Sequence, residues 1–186
     1  MLSDEQYDAI SAAGQAAESG HGILIADDVG VGKSREIAGV ALDWLKQGKA
    51  KRILITTRSA NNVNGLYEEF ETVAGGKPYP MIRVTDYPET KKTGIGGKSG
   101  VPVLDNAIYL IDSYNFAKYE PHLKDMGFDA WLADEAHVFK NDDANLGKAW
   151  RDLHVQMMGN RGRIAYFTAT PAQVPEDLQY LYALKE

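Results

Sequence analysis

Residues 26–34 read A-D-D-V-G-V-G-K-S and sit between a short apolar run, Gly22-Ile-Leu-Ile-Ala26, and an amphipathic stretch that opens at Lys33. The spacing suits a nucleoside triphosphate. Glycines let backbone N–H groups close round phosphate oxygens, a lysine reaches the β- and γ-phosphates, and a hydroxyl next to it binds Mg²⁺. The following helix would aim its N-terminus at the same anion. The candidate cradle is Asp28, Gly30, Val31, Gly32, Lys33, Ser34 and Arg35. In the usual G-x-x-x-x-G-K-[ST] pattern a glycine stands where this chain has Asp27.

Flanking sequence decides whether such a tripeptide means anything, and a second Gly-Lys-Ser at Gly97-Lys98-Ser99 provides the contrast. That copy follows no apolar run, and Gly100 and Pro102 come where a helix would have to start. It reads as a loop. After Lys33, by comparison, Ile37, Val40, Ala41, Trp44 and Leu45 recur at helical spacing on one face. The alternative at the first copy is a glycine-rich turn with no ligand.

Trp131-Leu-Ala-Asp-Glu-Ala-His137 places two adjacent carboxylates at the end of an apolar run. Charges there are costly unless a cation receives them, and Mg²⁺ shared with Ser34 would do so. Asp134 is then the metal anchor, and Glu135 is placed to polarise an attacking water. Taken alone, Asp134 and Glu135 could also be ordinary acidic residues where a strand meets solvent.

The elements that must position these groups follow from periodicity. Apolar, β-rich runs at 23–26, 53–57, 81–85, 107–111, 130–133 and 164–168 predict strands, several of them continuously apolar as expected when both faces are covered. Helical patterns fall at 5–18, 33–47, 62–74, 113–126, 146–158 and 175–184. Strands alternating with helices predict an α/β fold with a parallel sheet, in which ligands bind at the carboxyl ends of strands. Residues 75–102, rich in Gly, Lys and Pro, read as a flexible surface excursion carrying one short strand, within one domain spanning 1–186.

Composition is that of an ordinary globular chain: 186 residues, 44% hydrophobic and 25% charged. With no cysteine, disulfides and thiolate metal sites are excluded. The four histidines lack ligand spacing. Net charge of −6 means that any nucleic-acid contact must come from a local basic patch, for which Lys91, Lys92 and Lys98 are candidates. No apolar run is long enough to span a membrane and the first residues are too polar for a signal peptide, so a soluble intracellular protein is expected, cytoplasmic, or nuclear if eukaryotic.

Asp134-Glu-Ala-His137 followed by Val-Phe-Lys140-Asn141 resembles motif II of superfamily 2 helicases in its Snf2-like translocase branch. That branch also carries Asp at the position of Asp27, and the strawberry-notch type is similar too. The resemblance implies a RecA-like P-loop NTPase lobe, a three-layer sandwich with a central, mostly parallel sheet, and an ATP-dependent helicase or translocase with ATP and Mg²⁺ as cofactors. It further implies that Gln6 reads adenine, that loops at Arg58 and Tyr114 contact the DNA or RNA backbone, and that His137, Thr168 and Thr170 couple nucleotide state to the strand-binding face. By residue type alone Gln6, Arg58 and Tyr114 fit surface polar groups or a half-buried aromatic equally well. Family members have a second RecA-like lobe bearing arginine fingers, and this sequence stops about where the first lobe ends. Without those fingers the rate is expected to drop on the order of 10³-fold or more, leaving an isolated lobe weakly active. Asn160-Arg-Gly-Arg163 reads as a basic loop preceding a strand. A nucleotide-binding regulatory module acting on a protein partner is the alternative, favoured by the acidic charge.

Overall fold

The computed structural model describes residues 3–19, 22–26, 32–87, 100–135 and 145–168. In chain order these form α1 (Asp4–Ser19), β1 (Ile23–Ala26), α2 (Lys33–Lys46), β2 (Arg52–Thr57), α3 (Ala60–Ala74), β3 (Met81–Arg83), β4 (Ala107–Asp112), α4 (Ser113–Leu123), β5 (Ala130–Asp134), α5 (Asn145–Gly159) and β6 (Arg163–Thr168). The strands make one sheet in the order β1-β6-β5-β2-β4-β3, and every described pairing is parallel.

Alternation along the strands builds two cores. Ile53 and Ile55 of β2, Ile108 and Leu110 of β4, Leu132 of β5 and Phe167 of β6 face α1, α2 and α3, meeting Ile37, Trp44, Leu66 and Phe70. Their neighbours Leu54, Tyr109, Trp131 and Tyr166 point the other way, onto Phe116, Trp150 and Leu153 of α4 and α5. Both faces of the sheet are thus apolar, which is why these strands read as unbroken hydrophobic runs. The second core is aromatic: Trp131 stacks on Phe116 at 5.7 Å between ring centroids and lies 5.9 Å from Trp150. His154, buried beside Trp150, hydrogen-bonds through Nδ1 with the Tyr166 hydroxyl, a core histidine with no part in the site.

Local chemistry sets the ends of the elements. Ser59 caps α3, its hydroxyl accepting from Asn62 N, and Gly75 closes the helix at φ 66°. The predicted helix over 113–126 stops at Leu123, after Pro121, and runs on as a 3-10 turn, Lys124–Met126, to Gly127 at φ 67°. The third strand likewise ends early, at Arg83, where Val84–Asp86 turns into a 3-10 segment.

The excursion over 75–102 is tied to the fold at both ends. β3 pairs with β4, and Val84 and Val101 are buried in the aromatic core. Residues 88–99, with the second Gly-Lys-Ser and Lys91, Lys92 and Lys98, lie outside the described residues, as does the helix expected over 175–184. No helix among the described residues is long and apolar enough to cross a membrane.

Candidate functional site

Because the sheet is parallel, the carboxyl ends of β1, β2, β4, β5 and β6 share one rim, and α2 starts on that rim too. Gly32 is the N-cap of α2 at φ 88°, a left-handed conformation that favours glycine, and it supplies no side-chain cap to the helix. The N–H groups at a helix start of this kind suit an anion. A Cβ on Gly32 would also lie only 2.5 Å from Nε2 of Gln6.

Gln6 is buried on α1, 5% exposed. Its amide nitrogen donates to the Gly32 carbonyl at 3.4 Å while its Oε1 accepts from Ser3 N at 2.9 Å. The structure thus places Gln6 against the phosphate turn itself. Lys33, the first residue of α2, crosses to the end of β5 and forms an ion pair with Glu135, Nζ to Oε1, at 2.8 Å. Glu135 follows the last residue of β5 in a left-handed turn at φ 54°. Ser34 is exposed in the first turn of α2.

Asp134 ends β5 and is 7% exposed. Its Oδ2 accepts a hydrogen bond of 2.9 Å from the hydroxyl of Thr57, the last residue of β2 and itself 1% exposed. Burial holds the Asp134 carboxyl above its ordinary 3.8, against the lowering pull of the Thr57 hydroxyl and the Lys33 charge. A carboxylate so placed is completed by a cation. Asp134 and Ser34, oxygen donors on one rim beside a lysine and a helix start, fit Mg²⁺ bound with a triphosphate.

Other expected residues sort differently. Arg35, in the first turn of α2, has its side chain in an ion pair with Glu69 of α3. Thr168 is buried at the end of β6, paired in register with Ala26 of β1. Arg58 is exposed just past β2, and its carbonyl accepts from the Ser113 hydroxyl at 2.9 Å. Tyr114, 89% exposed, starts α4 beside a cleft of about 790 Å³ between the first turns of α4 and α5, lined also by Lys118 and Lys148. Asp28, Gly30, Val31, His137 and Thr170 lie outside the described residues. Residues 160–162 form the turn between α5 and β6, with Gly162 N donating to Met157 O at 2.7 Å, as a basic loop preceding a strand should.

Thr57 was missed by sequence reasoning, although it directly precedes Arg58. Its role depends on β2 lying next to β5, and strand order is not written in any single strand.

Comparison with known proteins bears on the same region. Residues 1–73 match the family model described as P-loop containing NTP hydrolase pore-1. Protein strawberry notch homolog 2 of Mus musculus is 26% identical over 188 residues, covering 97% of this chain and 13% of that protein. Two structures of the Sulfolobus solfataricus SWI2/SNF2 ATPase core share the fold. The one in complex with dsDNA has a TM-score of 0.72 at 19% identity, covering 100% of this chain and 35% of the other. The core domain alone has a TM-score of 0.70 at 21% identity, covering 99% and 35%. The chain therefore spans a minor part of each relative's length. The first part of the chain is thus similar to a P-loop NTP hydrolase family, the chain as a whole is similar to strawberry notch homolog 2, and its fold is that of the SWI2/SNF2 ATPase cores.

Proposed function

We propose that this chain is the ATP-binding lobe of an ATP-dependent DNA helicase or translocase, hydrolysing ATP when a second RecA-like lobe completes the site. The observation that carries this reading is the 2.8 Å contact between Lys33 and Glu135. It joins the helix that follows the glycine turn to the carboxylate pair, residues far apart in sequence, at the rim where a triphosphate would sit.

Each residue then has a physical task. Lys33 exchanges its carboxylate partner for phosphate oxygens, releasing Glu135 to orient and deprotonate a water. Asp134 and Ser34 hold Mg²⁺, which, when bound, offsets phosphate charge. Gln6 fixes the turn at Gly32. The DNA-bound relative supports a nucleic-acid role, for which Arg58 and Tyr114 offer an exposed cation and aromatic on the same rim.

The test separates binding from chemistry. Lys33→Ala is expected to weaken nucleotide binding and abolish turnover in the completed enzyme, while Glu135→Gln abolishes turnover and leaves binding largely intact. Full turnover in both variants would refute the assignment. A salt-dependent shift of labelled DNA separates the translocase from a regulatory module that acts only on a protein.

A further inference from the structure

We infer that Thr57 is the positioning residue of the metal-binding carboxylate, resting on the reading of Asp134 as the Mg²⁺ anchor. The contact is a product of sheet geometry. Residues 53 and 55 of β2 face α1 to α3, as does Leu132 of β5, and alternation carries Thr57 and Asp134 to that same face, where α2 begins. The register pairs Thr56 with Ala133, so the next residue of each strand, Thr57 and Asp134, come side by side at the rim. Thr56, on the opposite face, spends its hydroxyl on Trp131 Nε1 at 3.0 Å. Two adjacent threonines therefore serve different layers, one the core and one the site.

The Thr57 hydroxyl donates to Oδ2 of Asp134 at 2.9 Å. A carboxylate holding one oxygen on a buried donor is restrained in its rotation, which helps to orient it for a cation. Loss of that donor frees the carboxylate to rotate and leaves its buried oxygen without the hydroxyl. Thr57 touches neither nucleotide nor metal in this scheme. Its effect should appear only in the part of nucleotide affinity that depends on Mg²⁺.

The experiment titrates a fluorescent ATP analogue into the 186-residue chain, with Mg²⁺ and with EDTA, for wild type, Thr57→Val and Thr57→Ser. The ratio of the two affinities is the readout, and thermal melts check folding. Thr57→Val should lose on the order of tenfold of the Mg²⁺-dependent gain, Thr57→Ser should retain it, and EDTA affinities should stay the same. Thr57→Ala replaces the valine variant if that one fails to fold, with the same loss expected. A wild-type gain preserved in the variant lacking the hydroxyl overturns the inference alone. Failure of the wild type to bind the analogue overturns the nucleotide reading and this inference with it.

Discussion

At the scale of single residues the site is an arrangement of charge. Asp134 is withdrawn from water, and burial raises its carboxyl above the ordinary value. The folded chain consequently holds that proton more tightly than the unfolded chain does. The linked contribution to stability is present below the ordinary carboxylate value and is lost as pH rises through the raised one. Asp134→Asn should flatten that part of the profile, as measured by denaturant unfolding at a series of pH values between acid and neutral. An unchanged slope would mean that the carboxyl titrates normally. Sequence alone already paired Lys33 with the two carboxylates through their chemistry. Arg35 was not legible in the same way, because its contact with Glu69 depends on how α2 lies against α3, which one helix's periodicity does not state.

At the scale of elements, helix starts do much of the positioning. Asp112, buried at the end of β4, accepts from Asn115 N at 3.1 Å and so caps α4, the helix that presents Tyr114. Asp112→Ala should cost about 1 kcal/mol of stability, read from the denaturation midpoint. The strands were legible because both faces are buried: runs such as 107–111 have no polar interruption to misread. Boundaries were less so. Periodicity carries 113–126 as one helix, but Pro121 cannot donate its backbone nitrogen and the coil tightens beyond Leu123. β3 was overextended because Val84, apolar like a strand residue, is buried from a 3-10 turn instead.

At the scale of the whole molecule, α1 to α3 on one face of the sheet and α4 and α5 on the other pack the described core and leave the rim at the carboxyl ends of the strands for chemistry. The order β1-β6-β5 sets one strand between the phosphate turn and the carboxylates, and Lys33 spans that interval. No sequence pattern specifies such an order; it emerges only when strands choose neighbours. The three tryptophans, Trp44, Trp131 and Trp150, are 1%, 0% and 2% exposed and all lie in the packed layers. Their intrinsic fluorescence should be blue-shifted, resist quenching by acrylamide, and change sharply only when the chain unfolds. Spectroscopy of the native protein therefore comes with a built-in reporter of folding, while occupancy of the rim has to be followed with a dye attached there or carried by the nucleotide.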